Sequence, residues 1–384
     1  MPIIVYYEGS EAVKSWVRKL IQQECTFRKL PTSNNSIEFA KLPAYIADIL
    51  YLDKPDIIIS GMQDAIHERP IFAIELAACT PQFQHSIQRF SRSLAAVASG
   101  CPSVLIMPMR KSANDGKSSY NRSAAADYGA VRLTDVYKVP AVVVDWPEKD
   151  GKLQFEGHDQ LPPVDHPGIK QLGLYLRQAI NAFTQIDYLG ALNRLPLTQD
   201  LIDQTRTRAY VHGAPTISRP GGGVGVKKNQ VKLDIIKTKD LLINLVKEKR
   251  ASPTAIGQIP AYFKNRDECL LFYPTRVADH SGDPYVGMMT YYDIAFCRTG
   301  PTNRDRRYNL VAYCNEVDII ETTSKMKNFN NLKCPFNQPF KDARILEYSY
   351  HLRDGCRKTK IKPIRIYAEI ADLIAYDNGI LVNP

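Results

Sequence analysis

The chain has 384 residues, 44% of them apolar and 23% charged, a balance that excludes an intrinsically disordered protein and is enough for two domains with sizeable cores. No apolar run reaches the roughly 18 to 20 residues needed to cross a bilayer, so a membrane role is not expected. The net charge of +10 is unevenly spread: residues 1–200 hold 21 Lys+Arg and 21 Asp+Glu, residues 201–384 hold 29 and 19. A basic second half suits a polyanion partner, since each cation set on a phosphate releases counterions; plain solubility explains charge alone equally well.

Pro2 to Tyr7 predicts a strand, and Ser10 caps a helix in which Val13, Trp16, Val17, Leu20 and Ile21 recur at helical spacing. A strand, Glu8-Gly9 and a helix also begin a toprim domain, but the Asp-x-Asp pair such proteins need occurs nowhere in the chain. Ser36 to Leu52 predicts one further helix, with Pro43 in its early turns. Two β-branched runs follow, K-P-D-I-I-I-S from Lys54 and R-P-I-F-A-I-E-L-A from Arg69, joined by a polar loop. They predict an antiparallel hairpin centred near residues 65 and 66.

In that hairpin Asp56 opens the first strand, Glu75 closes the second, and the two carboxylates lie side by side. Adjacent carboxylates at a strand edge are a natural seat for Mg²⁺, which is held by one or two carboxylates plus water and phosphate oxygens. The chemistry this suggests is metal-dependent cleavage of nucleic acid. Glu38, at the start of the preceding helix, is a candidate third carboxylate, although a first-turn glutamate is also what the helix dipole favours. His67 and His85 flank the pair; surface histidines are the more frequent case.

Gln82 to Ser99 predicts a helix with Phe83, Ile87, Phe90, Leu94 and Val97 on its apolar stripe and Gln84, Gln88, Arg89 and Arg92 off it. Arg89 or Arg92 would clamp a phosphate beside the carboxylates. Strands are predicted at Ser103–Met107 and Val139–Val144, with Arg110 to Tyr128 a long polar loop between them. The order helix, strand, strand, helix, strand gives a mixed sheet flanked by helices. Lys152 to Phe155 predicts a short strand, and Pro167–Ile186 and Thr198–Val211 further helices.

Gly213 to Asn229 is glycine-rich but contains no phosphate-loop pattern, so it is expected to be a linker or DNA-facing loop at a domain boundary. Beyond it a basic helix is predicted over Lys237–Lys249, strands over Cys269–Tyr273, Tyr285–Cys297 and Tyr308–Cys314, and a last helix over Ile364–Tyr376. The turn R-T-G-P-T-N-R-D-R-R between two of those strands carries Arg304, Arg306 and Arg307, an arrangement suited to a DNA groove or to a solvated hairpin tip. Lys358 and Lys360 belong to a second basic concentration with Tyr348 and Tyr350 nearby. The eight cysteines show no C-x-x-C spacing, and with no signal sequence this points to a reducing cytoplasm. Cys314, Cys334, His351 and Cys356 fit no compact zinc pattern.

Pro55-Asp56, a strand ending in Ile74-Glu75 and a helix bearing Gln84 and Gln88-Arg89 together resemble the core of the PD-(D/E)XK nuclease superfamily, which includes many type II restriction endonucleases. The resemblance spans about residues 36–108. It implies that Asp56 and Glu75 bind Mg²⁺, with Mn²⁺ able to substitute, and that water attacks the phosphodiester in line to leave a 5′-phosphate. The family's lysine two residues after the glutamate is absent: Ala77 stands there. Gln84 or Gln88, as in RecB-type nucleases, would then complete the site, with Gln82 and His85 as weaker candidates.

The expectation is therefore an α/β (α+β) protein with a nuclease domain over residues 1–212, a linker over 213–229 and a basic DNA-recognition domain over 230–384. It would cut double-stranded DNA at specific sequences as a homodimer, since a duplex needs two cuts. The alternative is a nucleic-acid-binding protein whose degenerate nuclease core no longer cleaves.

Overall fold

The structure, a computed structural model, describes every residue except 32–35, 63–66, 79–86, 113–118, 122–123, 151, 157–160, 212–231, 274–282, 315–326, 329–339, 345, 353–354, 360 and 384. The chain divides into two compact units, Met1–Pro215 and Thr216–Pro384. Both mix helices with mixed sheets, so the fold is α+β. The glycine-rich stretch predicted as a linker, residues 213–229, lies outside the described residues.

The first unit is built on six strands: β1 (Ile3–Tyr7), β2 (Cys25–Lys29), β3 (Ile57–Met62), β4 (Glu68–Leu76), β5 (Ser103–Pro108) and β6 (Ala141–Trp146), in the order β2-β1-β3-β4-β5-β6. β3 runs antiparallel to both β1 and β4, and β4, β5 and β6 are parallel. β3, β5 and β6 are apolar runs buried along nearly their whole length, as befits sheet strands covered on both faces, whereas the edge strand β2 is largely exposed. α1 (Glu11–Ile21) and α6 (Pro167–Ala182) cover one face, where Val13, Trp16, Tyr175 and Leu176 pack on Val5, Ile57, Phe72 and Ile74. Burial of each such side chain contributes roughly 1.5–3 kcal/mol. Trp16 stays satisfied within this core because its indole N–H donates to the Pro162 carbonyl at 2.8 Å.

α2 (Ser36–Ala40), α3 (Ala44–Leu52), α4 (Phe90–Ala98) and α5 (Ala125–Tyr137) follow in turn; α3 and α4 pack on β4, and α5 packs on β6. α4 and α5 approach closely at Gly129, where an added Cβ would lie 2.5 Å from the Phe90 ring. That contact fixes the start of α4, which carries Arg89 and Arg92. α7 (Tyr188–Asn193) and α8 (Pro196–Ala209) complete the unit.

Several sequence expectations need correction. Ser36–Leu52 is two helices, with Pro43 capping the second, because proline has no N–H to give in a helix interior. Arg110–Tyr128 is not a loop throughout: Arg110–Ser112 pairs with Ser119–Asn121, and α5 begins at Ala125. The helix predicted over Gln82–Ser99 is described only as α4, and residues 79–86, which include Gln82, Gln84 and His85, lie outside the described residues.

The second unit holds β7 (Lys232–Lys237), β8 (Glu268–Tyr273) and β9 (Asn309–Tyr313). A separate antiparallel sheet contains β10 (Lys327–Asn328), β11 (Phe340–Asp342), β12 (Glu347–Leu352) and β13 (Gly355–Thr359). β14 (Leu373–Tyr376) and β15 (Gly379–Val382) join the first group in the order β7-β8-β9-β14-β15. Its helices are α9 (Thr238–Lys247), α10 (Pro253–Gln258), α11 (Ala261–Lys264), α12 (Asp283–Tyr292) and α13 (Lys362–Ile370).

The predicted strand Tyr285–Cys297 is instead α12 running into a π-helical turn, Asp293–Cys297. Almost every residue of that run is buried, so it lacks the polar face that would mark a helix in sequence. The predicted final helix over Ile364–Tyr376 stops at Ile370 and gives way to β14 and β15. Among the described residues no helix is long and apolar enough to cross a membrane.

Candidate active site

Asp56 stands just before β3 and Glu75 near the end of β4. The register Ile57↔Ile74 sets them opposite one another, as the hairpin predicted. At the other end Ser60 pairs with Pro70, so Ile71 is an extra residue that absorbs a proline unable to donate to the ladder. The bulge leaves the carboxylate end in register. Glu75 points to the sheet face covered by α3 and α4, opposite Phe72 and Ile74 on the other core, because side chains alternate along a strand.

Asp56 is fixed through Oδ2, which accepts the Leu76 N–H at 2.7 Å. Its Oδ1 and the Oε1 of Glu75 converge on one guanidinium nitrogen: Arg92 Nη1 lies 3.2 Å from the former and 2.7 Å from the latter. Arg89 Nη1 donates to the same Glu75 Oε1 at 2.8 Å and to the Leu76 carbonyl at 3.2 Å. Glu75 Oε2 is buried with no hydrogen-bond partner among the described residues.

Burial raises the Glu75 pKa from its ordinary 4.5 to about 8, helped by the negative charge of Asp56 and opposed by Arg92 and Arg89. Burial works against the Arg92 charge, but Glu75, Asp53 and Asp56 outweigh it and hold its pKa above the ordinary value.

The third carboxylate at this place is Asp53, not Glu38. Glu38 is exposed on α2. Asp53, at the end of α3 and 3% exposed, sits with Oδ1 3.9 Å from Arg92 Nε. Ser91 Oγ and the Lys54 N–H, the latter at 2.7 Å, both donate to its carboxylate. Three acids thus lie at the first turn of α4, the positive end of its dipole.

The predicted helper Gln88 makes no hydrogen bond to either carboxylate among the described residues; its neighbour Arg89 does. The cations beside the pair are therefore Arg89 and Arg92, both engaged with the acids. Ala77 is buried in the sheet. His67 lies by the hairpin turn, at the far end of both strands from the pair.

Two oxygen donors that meet at one point, with a fourth oxygen left over, fit a hard divalent cation of the Mg²⁺ type. Among the described residues no cluster of three or more His, Cys, Asp or Glu forms a metal cage, so the protein would supply two carboxylates and water the rest.

The basic residues predicted to read DNA divide. Arg306 is a correction: its side chain is wholly buried, with Nη2 3.0 Å from Asp293 Oδ1, Nη1 2.8 Å from Asp372 Oδ2, and Nη2 also donating to the Ile370 carbonyl. It cannot enter a groove without unfolding its surroundings. Arg298 pairs with Asp293 at 2.5 Å and Arg266 with Asp372 at 3.1 Å. Arg304 and Arg307 are exposed, the latter with its guanidinium 4.6 Å above the Tyr308 ring. Lys358 on β13 pairs with Glu347 at 2.8 Å, and Lys360 lies outside the described residues.

Comparison of the chain with family models, with curated proteins and with solved structures finds no match.

Proposed function

We propose that the protein is a Mg²⁺-dependent endonuclease of the restriction type, cutting double-stranded DNA as a homodimer. The first unit would carry the active site and the basic second unit would recognise the sequence. The observation that carries this reading is the convergence of Asp56 Oδ1 and Glu75 Oε1 on one cationic point, 3.2 and 2.7 Å away, beside a buried oxygen with no hydrogen-bond partner among the described residues. The resemblance of Pro55-Asp56 and Ile74-Glu75 to the PD-(D/E)XK core points the same way.

A divalent ion held by the pair would lower the pKa of a water molecule and neutralise charge growing on the phosphate. Asp56, locked by the Leu76 N–H, presents Oδ1 in a fixed direction. Glu75 would have to be ionised, so that with Asp56 the pair carries two negative charges. Arg89, about one-third exposed, lies at the rim where a phosphate oxygen would arrive. The Leu76 carbonyl and Glu75 hold its guanidinium there.

A second reading, a nucleic-acid-binding protein that does not cleave, is favoured by Arg92 bridging the two carboxylates and by Ala77. One experiment separates the two. Long DNA of known sequence is digested with Mg²⁺ or Mn²⁺ by the wild type and by Asp56→Asn and Glu75→Gln, and the ends are mapped. The nuclease reading expects discrete ends with 5′-phosphates and a loss of roughly 10³-fold or more in each variant. Cleavage that survives both substitutions removes the proposed site. A wild type that binds DNA yet never cuts it leaves the binding reading.

A further inference from the structure

Arg92 stands where a cation between Asp56 and Glu75 would stand. A guanidinium and a divalent ion cannot share a point 2.7 and 3.2 Å from the same two oxygens, because like charges at such spacing repel strongly in a partly buried site. Loading the carboxylate pair therefore requires Arg92 to leave it. The side chain is only 14% exposed and springs from a fixed helix turn, so bulk water offers it little room.

One acceptor is already within reach. Asp53 Oδ1 lies 3.9 Å from Arg92 Nε, and the Asp53 carboxylate is held in place by Ser91 Oγ, the neighbour of Arg92 on α4, and by the Lys54 N–H. Because those two donors anchor Asp53, it stays behind when the other two acids take a metal. A small rotation of the guanidinium converts its long contact with Asp53 into a close ion pair.

Resting on the reading of Asp56 and Glu75 as metal ligands, we infer that Arg92 is a gate on that pair and that Asp53 is a positioning residue, the seat to which the arginine moves when a divalent cation enters. Arg92 partly neutralises the carboxylate pair while it holds no metal, and cation affinity is set by a competition inside the protein. Asp53 acts on the metal through Arg92 and not by direct ligation.

The test is Mn²⁺ binding to the full chain by titration calorimetry, without DNA, in a double-mutant cycle. Arg92→Gln is expected to bind Mn²⁺ at least roughly tenfold more tightly than the wild type, since it deletes the competing charge. Asp53→Asn is expected to bind severalfold more weakly, and this loss should vanish in the Arg92→Gln background, where no arginine needs a seat. A direct field effect of Asp53 would instead weaken binding equally in both backgrounds, and that result overturns its role as the seat.

Equal affinity in the wild type and Arg92→Gln overturns the gate while leaving the carboxylate pair a metal site. Absence of Mn²⁺ binding in both overturns the metal reading and the gate with it. Should Arg92→Gln fail to give the far-ultraviolet spectrum of the wild type, Arg92→Lys takes its place. A single ammonium cannot span Asp56, Glu75 and Asp53 together, so tighter Mn²⁺ binding is expected, and unchanged affinity overturns the gate.

Discussion

Two places in the molecule set acids against arginines inside a fold, and they have opposite surpluses. In the first unit Asp53, Asp56 and Glu75 face Arg89 and Arg92, one acid in excess. In the second, Asp293 and Asp372 face Arg266, Arg298 and Arg306, one arginine in excess. The second network disposes of its surplus on the backbone: Arg298 donates to the Pro301 carbonyl, Arg266 to those of Asn303 and Arg304, and Arg306 to that of Ile370. It also ties Asp372 to the Leu310 N–H, so that α12, β9 and β14 are stitched at one point. All four oxygens of Asp293 and Asp372 lie within ion-pair distance of an arginine, whereas in the first network Glu75 Oε2 has neither a hydrogen bond nor an ion pair among the described residues and Asp56 is one-fifth exposed. The same residue types thus make a joint with arginine in excess in one case and, in the other, a centre with carboxylate in excess.

The contrast predicts different responses to losing an arginine. Arg306→Ala takes one of two arginine partners from each of two carboxylates that are both 0% exposed and empties a wholly buried site, and is expected to destabilise by about 3–5 kcal/mol in urea titration. Arg92→Gln leaves Arg89 on Glu75 and should cost clearly less. A cost for Arg306→Ala no greater than for Arg92→Gln would erase the distinction between joint and site.

A pH titration of stability separates them further. The Glu75 pKa is raised to about 8 in the folded chain from an ordinary 4.5, so between those values the folded state binds a proton that the unfolded state has lost. The stabilisation is full below about pH 4.5 and is lost as pH rises through 8. Relative to Glu75→Gln, which does not titrate there, the wild type should therefore lose stability with rising pH, by at most about 1.4 kcal/mol per pH unit. A stability difference between the two proteins that is flat from pH 5 to 8 would mean that the arginines keep Glu75 ionised throughout.

Much of the first unit was legible because its signals are local. The β-branched runs around Asp56 and Glu75 specify a hairpin, and period two then fixes which side chains meet. Asp53 was not legible as a site residue: it ends a helix, where a short polar residue is ordinary, and only the packing of α4 brings Ser91 and Arg92 to it. Arg92 itself reads as an exposed helix arginine, since nothing in its spacing from Glu75 reports that α4 folds back over β4. In the second unit R-D-R-R reads as a solvated turn, because Asp293 and Asp372, which bury Arg306, lie in other elements. The run Tyr285–Cys297 shows the limit of pattern reading: a helix enclosed on all sides offers no polar face, and its aromatic and β-branched residues mimic a strand.

The smallest expected effects concern the arginines left outside the joint. Arg304 and Arg307 flank Arg306 in sequence but are exposed, so they alone of the three are free to meet phosphates. If the second unit binds DNA through this turn, Arg304→Ala with Arg307→Ala should lower the slope of log affinity against log salt by about two, close to one per lost phosphate contact, with the urea midpoint unchanged. Lys358→Ala is the control. Its ammonium is paired with Glu347 at a half-exposed position, so it should change stability by under about 1 kcal/mol and leave the salt slope where it was. A slope that falls for Lys358→Ala and not for the arginine pair would move the DNA-facing surface from the turn beside α12 to the antiparallel sheet. The joint around Arg306 would then serve only to hold the fold, with no bearing on where DNA lies.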